Sequence, residues 1–129
     1  MTVFSFRPTR IETALRIWLQ LQDISSGQPL PHRTQATIIN FSVQGACLAV
    51  ANLLFDNTHL FYSTLDSDRY TLLLQFENSD DNKEFFSIAA RSIWMDSCTF
   101  DGKPAFKIGI RFLQQQKEVF ARIKRGQLF

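Results

Sequence analysis

The polar segment NFSVQG, between two apolar runs, carries side chains that could hold a ligand. The runs before and after it, residues 34–39 and 46–50, are β-branched or apolar and predict two strands joined by a turn. Asn40 and Ser42 have short polar side chains that bond nearby backbone groups and stabilise turns. Gly45 can adopt a positive φ that other residues resist. These three residues could therefore present fixed polar groups to a ligand.

Three arginines near the N-terminus, Arg7, Arg10 and Arg16, could supply positive charge. Guanidinium groups form paired hydrogen bonds with phosphate oxygens and with the O6/N7 edge of guanine, and they stack on base planes. Pro8 favours an extended chain, which predicts an arm leading into the domain. Arg7 and Arg10 point to opposite sides of an extended arm, and converge only if Pro8 and Thr9 make a turn. Arg16 is the alternative second cation.

Other reactive residue types form no recognisable constellation. His32 and His59 have no partner at the spacing of a metal site or a catalytic triad, and no glycine-rich phosphate loop is present. Cys47 and Cys98 make neither a disulfide framework nor a zinc motif, and Cys47 is expected to be a buried free thiol. The sequence therefore predicts a binding protein without catalytic residues, metal or cofactor.

Composition limits the class of protein further. The chain has 129 residues and 45% hydrophobic residues, which fits one folded domain. A formal charge of +2 predicts no strong general attraction to nucleic acid or membrane, so an anion site must come from local clustering. No apolar run reaches the roughly 18 residues of a membrane span, and no secretory signal is present, so we expect a cytoplasmic protein. The 13 phenylalanines predict a Phe-rich core, or else an exposed docking patch.

Hydrophobic periodicity predicts six or seven short strands followed by one amphipathic helix. The strands are predicted at 13–22, 34–39, 46–50, 58–62, 69–77, 85–95 and 105–112, and the helix at 114–125 with Gly126 as terminator. Loops or turns are predicted at 23–33, 52–57, 63–68, 78–83 and 96–104, the last around Asp101-Gly102. The fold class is therefore mainly β, a small antiparallel barrel with a C-terminal helix. The single domain divides into an arm at 1–12, the barrel at 13–113 and the helix at 114–126.

Several motifs together resemble the PilZ domain family. Asn40-x-Ser42-x-x-Gly45 between two strands is similar to the [D/N]-x-S-x-x-G signature of that family. An arginine-bearing arm precedes the first strand, and Gly109-Ile110-Arg111-Phe112 is similar to its late G-[IV]-x-F strand. The order of these motifs, with a helix at the end, extends the resemblance over nearly the whole chain.

The resemblance implies a six-stranded barrel that binds the bacterial second messenger cyclic di-GMP and relays the signal to a partner protein. The ligand contacts that it implies are Arg7, Arg10, Asn40, Ser42, Gly45 and Trp94. Trp94 is included because the family often carries an aromatic residue near the ligand. The arm departs from the family pattern, since R-x-x-R replaces R-x-x-x-R.

Two other functions remain open from the sequence. The irregular arginine spacing and the phenylalanine content also fit a degenerate PilZ-like domain that has lost the nucleotide and acts as a protein-interaction module. An unrelated barrel that binds single-stranded nucleic acid would need a basic, aromatic-lined groove, which the low net charge supports poorly.

Overall fold

A computed structural model describes residues 9–55, 57–65, 68–77 and 85–126 of the chain. It contains eight strands and one helix: β1 (Ile11–Asp23), β2 (Pro29–Phe41), β3 (Gly45–Val50), β4 (Leu54–Phe55), β5 (Thr58–His59), β6 (Tyr70–Glu77), β7 (Phe85–Phe100), β8 (Lys103–Phe112) and α1 (Lys117–Lys124). Every strand pair is antiparallel.

Six of the strands form a closed barrel in the order β1-β2-β3-β8-β7-β6, and β6 pairs with β1 to complete it. The short strands β4 and β5 form a separate two-stranded ribbon. Closure leaves the six barrel strands with partners on both sides, which protects their backbone hydrogen-bonding groups. The predicted six-stranded antiparallel barrel is confirmed.

Alternating apolar residues fill the barrel interior. In β1, Ile17, Leu19 and Leu21 are buried, as the period of two predicted. Aromatic contacts join other strands in the same core: the rings of Phe41 and Phe112 lie 5.0 Å apart between centroids. The buried phenylalanines are Phe41, Phe61, Phe76 and Phe112, with Phe86, Phe106 and Phe120 packed against the core. Seven of the 13 phenylalanines therefore lie in the core or pack against it, which is one of the two outcomes expected from the sequence.

The segment after β5 differs from the prediction. Only Thr58 and His59 are extended, and residues 60–64 make hydrogen-bonded turns instead of the expected strand over 58–62. The His59 Nδ1 atom accepts hydrogen bonds from the backbone N–H groups of Phe61 and Tyr62 at 3.2 and 3.1 Å. This side chain thereby competes with strand pairing and bends the chain, so that Leu60 and Phe61 enter the core.

The predicted loop at 23–33 is too long, because β2 begins at Pro29. Residues 29–33 pair with the end of β1 around an irregular register between Gln20 and Gln22. Gln20 helps to hold this segment, since its Nε2 atom donates a 2.6 Å hydrogen bond to the Leu30 carbonyl oxygen. Pro29 and Pro31, which lack a backbone N–H group, are tolerated here because the β2–β3 ladder covers only residues 37–41. Neither proline has to donate a hydrogen bond to β3.

The connection predicted at 96–104 is shorter than expected. β7 continues to Phe100 and β8 begins at Lys103, so that only Asp101 and Gly102 form the turn. Both have positive φ, 51° and 74°, as a two-residue hairpin of this kind requires. Polar residues such as Asp96, which suggested a loop, lie on the exposed face of the β7–β8 hairpin.

The two ends of the predicted domain scheme also shift. Ile11 and Glu12, assigned to the arm, already belong to β1. The C-terminal helix begins at Lys117, three residues later than predicted, and its half-buried Val119, Phe120 and Ile123 pack against the core. Gly126 follows with φ 68°, the left-handed conformation expected of a helix terminator.

Candidate functional site

A cavity of about 280 Å³ lies on the outer wall of the barrel beside the β2–β3 turn. Its lining residues are Arg10, Asn40, Ser42, Gln44, Gly45, Ala46, Cys47, Ile93, Trp94, Gly109, Ile110 and Arg111. They include two guanidinium groups and no carboxylate, so the cavity favours an anionic ligand. Five of the six predicted contacts lie around it, while Arg7 lies outside the described residues. Their role in binding a ligand stays a prediction.

Register irregularities place the polar side chains on this wall. In β2, Ala36 and Ile38 face the core, and the register then shifts between Ile38 and Asn40. Asn40 consequently pairs with Cys47 on the outside, while Phe41 takes the next core position. An extra residue in one strand re-aims a side chain in this way, and such bulges are frequent beside functional sites. Without the shift, Asn40 would point into the apolar interior.

A second irregularity directs Trp94 to the same wall. The register of β7 against β8 shifts between Ser92 and Trp94, and Trp94 then pairs with Gly109. A Cβ atom added to Gly109 would overlap the indole ring of Trp94, since the Cδ1 atom of that ring lies 2.6 Å from the Cβ position. The indole therefore covers Gly109, yet 45% of Trp94 remains exposed. It offers the cavity an aromatic surface at a fixed position.

Ser42 holds the β2–β3 turn through its own hydrogen bonds. The Oγ atom accepts the backbone N–H groups of Gln44 and Gly45 at 3.3 and 3.1 Å and donates to the Gly45 carbonyl oxygen at 3.1 Å. The Ser42 backbone N–H also donates to that oxygen at 2.8 Å. A hydroxyl has one donor and two acceptor positions, so these contacts occupy all three. The hydrogen bonds give Ser42 a role in shaping the turn beside its predicted role as a ligand contact.

Gly45 is required by close packing, and it does not use the positive φ that glycine can adopt. Among the described glycines, only Gly27, Gly102 and Gly126 have a positive φ. A Cβ atom at Gly45 would overlap the carbonyl oxygen of Ile110 and lie 3.3 Å from its carbonyl carbon. Glycine therefore lets the turn approach the backbone of β8, which no larger residue permits without movement.

Among the predicted contacts that the structure describes, the polar side chains that remain available are those of Asn40 and Arg10. Within the described part of the chain, neither side chain forms a hydrogen bond or ion pair, and Arg10 is exposed. Arg16, the alternative second cation, lies elsewhere, because it lines a separate cavity of about 450 Å³ beside the β7–β8 hairpin. The structure therefore places Arg10 and Arg16 at different cavities.

The sequence did not single out Arg111 or Cys47 as parts of this wall. Cys47 is buried, as predicted, and burial raises the pKa of its thiol, an effect that the positive charge of Lys107 partly opposes. It forms part of the cavity floor between Asn40 and Gly109. Only the alternation of β8 around Gly109 could have indicated that Arg111 faces outward beside it.

Replacing Ser42 with alanine is expected to loosen the turn. The backbone N–H groups of Gln44 and Gly45 lose their acceptor, which lowers the free energy of unfolding by about 1 kcal/mol. Thermal unfolding of the variant measures this loss, and Ser42→Thr, which keeps the hydroxyl, is the control. Equal stability of Ser42→Ala and the unmodified protein would show that these hydrogen bonds contribute nothing.

No group of three His, Cys, Asp or Glu side chains among the described residues is placed to hold a metal ion. No helix among those residues has the length and apolar character needed to cross a membrane.

Comparison with known proteins identifies the fold. No family model and no curated protein matches the sequence. Solved structures that do match include the PilZ domain with c-di-GMP of YcgR from Escherichia coli, the Borreliella burgdorferi PlzA protein in complex with c-di-GMP, and the MrkH–c-di-GMP complex from K. pneumonia. TM-scores are 0.54, 0.52 and 0.52, with identities of 13%, 14% and 16%.

The extent of the matches differs among these structures. They cover 95%, 95% and 98% of this chain. In the other direction, the match spans 88% of the YcgR domain but only 53% of PlzA and 52% of MrkH, about half of each. The chain therefore has a PilZ-like fold: a closed six-stranded antiparallel barrel with a short C-terminal helix.

Proposed function

We propose that this protein is a non-catalytic receptor for cyclic di-GMP and a divergent PilZ domain. The observation that carries the proposal is the cavity in which Arg10, Asn40, Gly45 and Trp94 meet without a carboxylate. The PilZ-like fold supports it, because YcgR, PlzA and MrkH are solved with c-di-GMP. The identities of 13–16% show only the fold, so binding must be tested directly.

The cavity wall suits the chemistry of this nucleotide. The Arg10 guanidinium can pair with a phosphate or with the O6/N7 edge of guanine. The Asn40 amide supplies both a donor and an acceptor for polar atoms of the ligand. The exposed part of the Trp94 indole provides a surface on which a guanine base can stack. Ser42 and Gly45 hold the turn close to β8, which keeps Asn40 in place.

The N-terminal arm completes the proposed receptor. Arg7 would close over the ligand from the segment that precedes Arg10, and this movement would change the surface seen by a downstream partner protein. We further propose that residues 1–129 act as one domain, with the segment before β1 contributing Arg7 and Arg10, in the cytoplasm of a bacterium. No cofactor or metal is required for this function.

Titration calorimetry with cyclic di-GMP tests the proposal. We expect saturable binding, and no comparable heat with GMP, which has one phosphate and one base. Absence of heat at micromolar protein with a large excess of cyclic di-GMP would contradict receptor function. In that case, nucleotide-independent capture of one stable partner would support the interaction module instead.

The tryptophan at the cavity should report ligand binding. In a Trp18→Phe variant, Trp94 is the remaining tryptophan of the chain, and Trp18 does not line the cavity. Stacking of a guanine on the exposed indole should quench its fluorescence, with a midpoint that matches the calorimetric affinity. The reciprocal variant, Trp94→Phe with Trp18 retained, is the control and should show little change. Equal quenching of both variants would show that the ligand does not stack specifically on Trp94.

A further inference from the structure

Two arginines face each other directly across strands β7 and β8. The ladder pairs Arg91 with Arg111, and both side chains point outward because Ala90 and Ile110 next to them lie in the core. Side chains of directly opposite residues start about 4.5–5.5 Å apart at Cβ, and like charges in such a pair destabilise a sheet. This pair therefore lowers the stability of the ligand-free barrel.

Along the described strands, the register puts no acidic residue beside this pair on the outer face. It places Gly45 beside Arg111, and the neighbouring outward positions along β7 and β8 are Ala89, Trp94, Gly109 and Leu113. Among the described residues, neither Arg91 nor Arg111 forms an ion pair or a side-chain hydrogen bond. Within this part of the chain the cation pair has no anionic partner, so an external anion can pair with it.

Arg111 also lines the proposed ligand cavity. It approaches from β8, next to the Gly45 end of the turn, whereas Arg10 precedes β1. A smaller cavity of about 150 Å³, lined in part by Gln44 and Leu113, also has Arg111 in its lining, so this residue borders both cavities. Arg91 lines neither cavity, and its charge acts on Arg111 from the opposite strand.

We infer that Arg111 is a further binding residue, which contacts a phosphate group of the ligand, and that Arg91 is a positioning residue beside it. The inference rests on the proposed function, since cyclic di-GMP carries two phosphodiester groups and the proposed contact of Arg10 would occupy at most one of them. An anion at Arg111 removes the repulsion in the pair, so relief of that strain adds to the affinity. The second cation thus comes from the barrel wall and does not depend on the spacing of Arg7 and Arg10.

Calorimetry on Arg111→Gln tests this role, with Lys107→Gln as the matched control. Lys107 lies on the same strand and outward face and has the same charge, but it does not line the cavity. We expect Arg111→Gln to weaken cyclic di-GMP binding about ten- to hundredfold, as for loss of a charge-assisted hydrogen bond, and Lys107→Gln to change it less than threefold. Equal affinities of the two variants would overturn the inference while receptor function stands.

A second measurement separates this inference from the proposed function. The side-chain Nε–H NMR signal of Arg111 in the unmodified protein should shift on addition of inorganic phosphate, and that of Arg16 should shift much less. A shift at Arg111 supports an anion site even if cyclic di-GMP does not bind. Equal changes in the Nε–H signals of Arg111 and Arg16 would show that Arg111 is not part of a specific anion site.

The role of Arg91 has its own readout. Arg91→Gln should raise the melting temperature of the ligand-free protein at low salt, because it removes the repulsion from Arg111. The increase should shrink as salt screens the pair. A melting temperature that falls, or that shows no salt dependence, would overturn the positioning role.

Discussion

Replacing Arg10 with alanine is expected to weaken cyclic di-GMP binding about ten- to hundredfold. The reason is the loss of a charge-assisted hydrogen bond, which is worth about 1.5–3 kcal/mol, at a cavity whose lining includes only one other cation. Calorimetry under one fixed salt concentration measures the change. Stability should remain unchanged, because Arg10 is exposed and precedes β1.

Arg16→Ala is the matched control for this experiment. Arg16 is also an exposed arginine near the N-terminus, yet it lines the cavity beside the β7–β8 hairpin. Its removal subtracts the same formal charge and should leave the affinity within about threefold. If Arg16→Ala weakens binding as much as Arg10→Ala does, the effect is general electrostatic attraction, and Arg10 has no specific contact.

Replacing Gly45 with alanine is expected to damage both stability and binding. The new Cβ atom overlaps the Ile110 carbonyl oxygen, a backbone atom that cannot rotate away, so the turn must move off β8. Overpacking of this kind costs about 1–3 kcal/mol. Since Ser42 and Asn40 belong to the same connection, the movement should also lower the affinity for cyclic di-GMP more than tenfold.

Thermal unfolding and calorimetry of Gly45→Ala measure these two effects separately. At roughly 3–5 °C for each kcal/mol in a domain of this size, the melting temperature should fall by several degrees. A variant that melts and binds like the unmodified protein would show that the turn does not need its close approach to β8. Loss of binding with unchanged stability would instead place Gly45 in direct contact with the ligand.

The barrel could be predicted because local pattern and burial agree over most of the chain. Period-two alternation identified Ile17, Leu19 and Leu21 as core residues, and Asp101-Gly102 identified the hairpin turn. The spacing of Val119, Phe120 and Ile123 identified the helix and its buried face. In these segments the local hydrophobic period or the turn residues already indicate which side chains face the core.

The details of the site could not be predicted because they depend on contacts between distant segments. The shift that turns Asn40 outward appears only when β2 pairs with β3, and the one at Trp94 only when β7 pairs with β8. The sequence could not show that the backbone of Ile110, far along the chain, is what requires glycine at position 45. Arg111 was noticed within a motif but could not be placed beside Gly45 without the β3–β8 register.

NMR of the labelled protein can show whether the outer cavity at the β2–β3 turn holds cyclic di-GMP. On titration with the nucleotide, we expect the largest shifts at the Gly45 and Gly109 amides and the Trp94 indole N–H. The amides of Ala49 and Ala105, at the second cavity, should move little. Binding that shifts Ala49 and Ala105 but leaves Gly45, Gly109 and Trp94 unchanged would contradict this location of the ligand.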